Sequence, residues 1–251
     1  MIRENVTALL KELEGGNCCH EKVTLVAATK TRTPAEINEA IAAGITDIGE
    51  NKVQEFTAKF DEVNGARRHF IGHLQLNKVK YLIGRTDLIE SVDRNELASE
   101  LAKRSVRAGI VTDILIEVNI GCEESKSGYP LEEAFSACER LSRTEGLRVK
   151  GFMAMLPLAG DEGYLGGLVD KMRALYDRAK AQDTNIEHLS MGMSGDWRLC
   201  LAHGSNMIRL GTAIFGSRIS PMGQHLAGGA IGISAACRKT PAKMFSPTGG
   251  L

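Results

Sequence analysis

Apolar positions along the chain follow two alternating rhythms. Short apolar, β-branched runs occur at 23–30, 45–49, 68–72, 87–91, 112–120, 147–154, 186–191 and 206–211. An amphipathic stretch opens the chain over 1–16, and helical periodicity returns at 34–43, 51–63, 75–82, 94–108, 130–143, 164–182 and 195–203. After the last strand only a short turn follows, beginning at Thr212. Continuous apolar runs fit strands buried on both faces, and spacings of three and four fit helices with one apolar side. Thr33 and Pro34 supply the cap and first residue of the helix at 34–43. Strand-then-helix repeated eight times predicts an α/β fold with a parallel sheet under helices. Eight units favour a single (β/α)8 TIM barrel over an open sheet. No Gly-x-Gly-x-x-Gly follows the first strand, which weakens the open dinucleotide-binding alternative.

The rhythm stops at residue 216. Residues 217–251 hold six of the 27 glycines and three of the six prolines, with Arg218, Arg238, Lys239 and Lys243 but no acidic residue. This composition predicts a basic, partly disordered tail after a barrel spanning 1–216. The tail's apolar stretch at 226–237 is broken by glycine and too short to span a bilayer.

Charge refines the picture. The 251 residues carry 31 basic and 31 acidic side chains, but the barrel alone has 27 against 31, a net of −4. A mildly acidic barrel lacks the electrostatic footprint of a nucleic-acid binder. No apolar run reaches the ~18–20 residues of a membrane span, and the amphipathic N-terminus is not a secretory signal. The expected location is cytoplasmic. None of the six cysteines forms a Cys-x-x-Cys pair, and Cys18-Cys19-His20 reads as a reduced surface loop, so no metal is expected.

Reactive groups of such a barrel belong at the C-terminal ends of its strands. Lys30 closes the first strand and shares the parity of Val26 and Ala28. If that face points inward, Lys30 is an ammonium in an apolar mouth, where desolvation favours the nucleophilic amine that Schiff-base chemistry needs. The competing reading is a lysine reaching to solvent. Two small-residue turns, Ser190–Gly195 and Arg209–Thr212, follow the seventh and eighth strands, where barrels often bind phosphate. Ser194 and Thr212 could add hydroxyl donors there, although both could equally be ordinary caps. Arg209 shares the parity of Met207 and Gly211, so it points inward and needs a partner: an ion pair with Glu50, or a ligand ring. Lysine, phosphate cradle and inward arginine together are what a pyridoxal phosphate site would use. Asn51, His73 and Asn119 also stand at strand ends. His73 reads as structural more readily than as a base, Lys126 as solvated, and Trp197 as packing.

Six strings carry a family resemblance: VAATK at 26–30, GENKVQE at 49–55, HFIGHLQLNKVK at 69–80, VNIGCEESKSG at 118–128, LSMGMSGDW at 189–197 and IRLGTAIFG at 208–216. In this order and spacing the chain closely resembles the pyridoxal phosphate homeostasis proteins, single-domain relatives of the N-terminal barrel of alanine racemase, over about residues 1–216. The resemblance implies a fold type III barrel with no C-terminal β domain. It implies pyridoxal 5'-phosphate held as an internal aldimine on Lys30. Ser194, Gly211 and Thr212 would cradle the phosphate, Arg209 would face the pyridine nitrogen, and Asn51 would lie beside the cofactor. It further implies a monomer, with apoenzymes that need the cofactor as candidate acceptors. Leu76 stands where the family usually has a small polar residue, and the tail carries none of the family's motifs.

An arginine at the pyridine nitrogen keeps that nitrogen unprotonated and weakens the ring as an electron sink. Racemases add a tyrosine base from a second domain, and the roughly 35 residues after the barrel hold no tyrosine. The expected protein is therefore a non-catalytic carrier or buffer in vitamin B6 homeostasis. The alternatives are a racemase-type enzyme using the same cofactor, with His73 or a loop residue as second base, and a Schiff-base aldolase acting through Lys30.

Overall fold

The computed structural model describes residues 1–123 and 126–216. The tail expected at 217–251, with Cys237, and the loop positions Glu124 and Ser125 lie outside the described residues. Eight parallel strands close into a barrel in chain order: β1 Thr24–Ala28, β2 Asp47–Glu50, β3 Arg67–Phe70, β4 Leu88–Val92, β5 Thr112–Val118, β6 Leu147–Ala154, β7 His188–Ser190 and β8 Met207–Leu210. Pairing of β1 with β8, Val26 opposite Arg209, closes the ring. The helices are α1 Ile2–Leu13, α2 Pro34–Ala42, α3 Val53–Lys59, α4 Asn95–Ala108, α5 Leu131–Ser142, α6 Glu162–Lys180, α7 Trp197–Ala202 and α8 Thr212–Phe215.

Local chemistry fixes the helix starts. Thr33 and Glu36 form a reciprocal capping box at α2, with Pro34 as its first residue. α6 begins two residues before the expected 164 because the Asp161 carboxylate accepts from the Tyr164 N–H at 2.8 Å. The stretch at 75–82 is a 3-10 helix, Leu76–Tyr81, rather than the amphipathic α-helix its periodicity suggested. Val79 is its one buried residue, too small an apolar face to extend a longer helix.

Alternation sorts the strands' side chains into two cores. Val26, Leu88, Leu115, Met153 and Met207 fill the barrel interior. Leu25, Ala27, Ile48 and Ile208 face outward against helices on one side, and Phe70, Ile114, Phe152 and Leu189 do so on the other. β6 changes parity partway. Leu147 and Val149 face out, but so do Phe152 and Ala154, because the register against β5 shifts at Gly151. Gly151 has φ +141, and a Cβ there would lie 1.8 Å from the His188 carbonyl oxygen. The bulge turns Met153 inward and aims the end of β6 at the mouth. Gly151→Ala is expected to destabilise the fold by about 2–5 kcal/mol, combining strain with a backbone clash. Denaturant unfolding measures this, and a loss under about 0.5 kcal/mol, the level of an ordinary surface change, contradicts it.

Candidate functional site

The turns after β7 and β8 lie side by side at the C-terminal rim. The Arg209 N–H donates to the Gly192 carbonyl at 2.9 Å, and the Thr212 hydroxyl donates to Ser194 Oγ at 2.9 Å. The structure thus brings Ser194 and Thr212 together. Gly192 has φ +110, and a Cβ there would lie 2.9 Å from Trp197 Cα, so the first turn folds tightly over the buried tryptophan. Among the described residues, the amides of Ser194, Gly195, Thr212 and Ala213 find no acceptor.

Gly211 is informative because the protein itself does not require it. Its φ is −113, and a Cβ would make ordinary contacts, the nearest being 3.5 Å to the Ala28 carbonyl oxygen. Beyond Ala28 a Cβ there meets nothing within 4 Å. This leaves room for a ligand's close approach to the backbone.

Lys30 stands just past β1, fully at the rim and exposed, with no hydrogen bond or ion pair among the described residues. Of the two readings, the structure shows the solvent-reaching one, with Lys30 exposed rather than enclosed in an apolar mouth; Thr31 follows it in a left-handed turn at φ +63. Asn51 follows β2 and is half-buried. Its Oδ1 is sealed from solvent without a partner, and rotating the amide would present the NH2 instead. Gly72 lets the Asn51 backbone approach, since a Cβ there would lie 2.1 Å from the Asn51 carbonyl oxygen.

Arg209 points inward, as its parity predicts, but it does not pair with Glu50. Glu50 has the outward parity of Ile48, so it meets Lys59 on α3 at 2.7 Å and the Thr29 hydroxyl at 2.6 Å. The inward carboxylate is Glu90. Arg209 Nη1 donates to the Ser190 carbonyl at 2.9 Å and Oγ at 2.5 Å, and lies 3.6 Å from Glu90 Oε2. Nη2 donates to the Ala154 carbonyl at 3.2 Å. Nε has no protein acceptor among the described residues.

Glu117 was missed in the sequence, although the alternation in ILIEV places it on the inward face with Leu115. It is 5% exposed and makes no hydrogen bond among the described residues. Burial, with help from the Asp93 carboxylate, pushes its carboxyl up to about 7 against the opposing pull of Arg209. His73 is exposed and sits 3.1 Å from Asp93 Oδ2. Lys126 is held rather than solvated, donating to the Leu156 carbonyl at 3.2 Å beside Glu123. Asn119 Nδ2 bonds the Glu123 and Lys126 carbonyls at 2.9 and 3.1 Å, shaping that loop instead of facing a ligand.

A closed parallel barrel with a lysine at the end of β1 and a small-residue cradle after β7 and β8 defines a class. The sequence profile of the family described as "Alanine racemase, N-terminal domain" matches residues 2–219. Among curated relatives, the pyridoxal phosphate homeostasis protein of Aquifex aeolicus is 39% identical over 207 residues, 81% of this chain and 89% of the relative. PipY of Synechococcus elongatus, whose structure was solved with PLP bound, superposes with a TM-score of 0.75 at 30% identity, covering 86% of this chain and all of that one. An alanine racemase of Clostridium difficile, at 13% identity and a TM-score of 0.72, shares the fold over 60% of its length. This chain belongs to the pyridoxal phosphate homeostasis protein family.

Glu117 generates a pH signature. Its folded value lies above the ordinary carboxylate value of about 4.3. Its contribution to stability is therefore fully present below that pH and is lost as pH rises through about 7. Glu117→Gln should raise stability at pH 8.5 by on the order of 1–3 kcal/mol and change it little at pH 5. Thermal melts at the two pH values measure this, and equal shifts at both contradict it.

Proposed function

We propose that residues 1–216 bind pyridoxal 5'-phosphate at the barrel mouth and act in its homeostasis as a cytoplasmic carrier or buffer rather than as an enzyme. The observation that carries this reading is the cradle at Gly211. A glycine that neither backbone geometry nor packing demands lies beside two paired hydroxyls, under amides without acceptors. In this reading Ser194, Gly211 and Thr212 bind the phosphate, and Lys30 supplies the amine for a Schiff base. Arg209 turns its free Nε toward the ring nitrogen, and the orphaned Asn51 amide lies beside the ring. When bound, the group supplies an aldehyde carbon open to amines and a ring able to withdraw electrons. Arg209, a permanent donor, would hold that nitrogen unprotonated and so limit the withdrawal.

The names of the relatives support homeostasis over turnover. The reading extends to a monomer whose cofactor passes to apoenzymes. The described cysteines are free thiols, the state kept in a reducing compartment. No described helix is long and apolar enough to cross a membrane.

One observation favours a second reading. Glu117 is an inward carboxyl that titrates near neutrality, as a racemase-type acid–base group would. Exchange of amino-acid α-protons with deuterated solvent, lost in Glu117→Gln, would support that enzyme.

Added pyridoxal phosphate should give the protein a visible absorption band that Lys30→Ala abolishes. Gly211→Val should weaken binding by at least about tenfold while leaving the melting temperature unchanged. Absorbance titration and thermal melts measure both. A wild type that stays colourless overturns the reading.

A further inference from the structure

A line of charged groups crosses the barrel interior and ends at Arg209. His69 Nδ1 lies 2.7 Å from Glu90 Oε1, and His69 Nε2 lies 3.0 Å from Asp47 Oδ1. The Ser190 hydroxyl donates to Glu90 Oε2 at 2.7 Å and accepts from Arg209. The side chains of His69 and Glu90 are wholly buried.

Hydrogen-bond geometry favours a charged His69 in this line. Each ring nitrogen of His69 faces a carboxylate oxygen. A neutral imidazole would turn a lone pair on one of them, whereas an imidazolium donates to both. Burial disfavours the charged ring, yet bonds to Asp47 and Glu90 outweigh it and push His69 up to about 9. Burial would likewise raise Glu90, but His69, Arg209 and Ser190 bring it below the ordinary range. Asp47 follows the same balance, lowered by His69, Thr46 and Arg67. His188, held neutral by burial at about 4, faces the same floor. Glu117 is the remaining carboxyl close to Arg209. Signs alternate from mouth to floor: guanidinium, carboxylate, imidazolium, carboxylate. At the floor, Asp47 and Arg67 line an open cavity of about 600 Å³.

A charge line of this kind is costly to bury, and well-packed apolar residues would often serve stability as well. Its geometry does something apolar residues could not. Ser190 and Ala154 together occupy Nη1 and Nη2 of Arg209, and Glu90 Oε2 lies 3.6 Å from Nη1. Nε is left without an acceptor among the described residues.

We propose that Ser190, Glu90 and His69 form a positioning relay that orients Arg209 toward the ring nitrogen of bound pyridoxal phosphate, so that the state of that nitrogen is set from inside the barrel. The relay rests on the cofactor reading above. Ser190→Ala cuts the link between Glu90 and Arg209 by removing one oxygen. Glu90→Gln removes the charge, and His69→Gln removes the imidazolium behind it.

The experiment compares wild type and the three variants, loaded with pyridoxal phosphate, by visible absorption across pH 6 to 9.5. Ser190→Ala and Glu90→Gln should each move the midpoint of the band's pH titration by about one unit and weaken cofactor binding about tenfold. Wild type should begin to follow them only as His69 deprotonates, near pH 9. If Glu90→Gln or His69→Gln fails to fold, the milder Ser190→Ala still decides. A loaded Ser190→Ala whose band and titration superimpose on wild type overturns the relay and leaves cofactor binding intact. A wild type that takes up no cofactor overturns the cofactor reading, and the relay with it. Nitrogen-15 shifts of His69 in the unloaded protein give a separate check: a neutral ring at pH 7 sinks the relay whatever the cofactor does.

Discussion

Glu90 is a carboxylate sealed in the middle of a closed barrel, and it has to be neutralised from within. Water cannot reach it, and an unpaired charge there would cost several kcal/mol. Its partners come from three other strands: His69 on β3, Ser190 on β7 and Arg209 on β8. Each must hold inward parity at the correct height. A slip of one residue in any of these strands would turn its side chain outward and leave the carboxylate short of a donor. Apolar packing around Val26, Leu115, Met153 and Met207 tolerates some rearrangement. The charge line does not, and it ties the registers of half the barrel together.

The same neutralisation shapes what remains for a ligand. Arg209 satisfies the interior through Nη1 and Nη2 and keeps Nε over. Asn51 is brought to the rim by the bare Cα of Gly72 and carries a buried oxygen without a donor. The Thr212 hydroxyl donates to Ser194 Oγ, while the amides beside them find no acceptor among the described residues. The mouth therefore holds unmet hydrogen-bonding capacity of two kinds, donors for an anion on one side and polar groups for a ring on the other. Both sit where the turns after β7 and β8 meet the end of β1.

Much of this was legible in the sequence because barrels enforce alternation. The eight strands, the inward aim of Arg209 and the adjacency of the two glycine turns all follow from parity and order. Two features escaped for physical reasons. The inward acid beside Arg209 is Glu90 and not the Glu50 that was one of two candidates, because Glu50 lies on the helix-facing side of β2 and residue type alone does not encode which acid is opposite. The parity switch at Gly151 depends on a bulge, and a two-residue period is blind to an inserted residue. Glu117 was within reach, since ILIEV places it inward. A carboxylate in an apolar strand is simply easy to pass over when a lysine nearby draws the chemistry.

The exposure of Lys30 bears on what such a site does. Enzymes that use a lysine-bound cofactor gain from enclosing it, because excluding water strengthens their electrostatics and suppresses hydrolysis. Here the buried end of the mouth is the one the protein pairs within itself, where Arg209 meets Ser190, Ala154 and Glu90. Lys30, by contrast, stands exposed at the rim. The mouth thus joins a buried, charge-paired side to an open one.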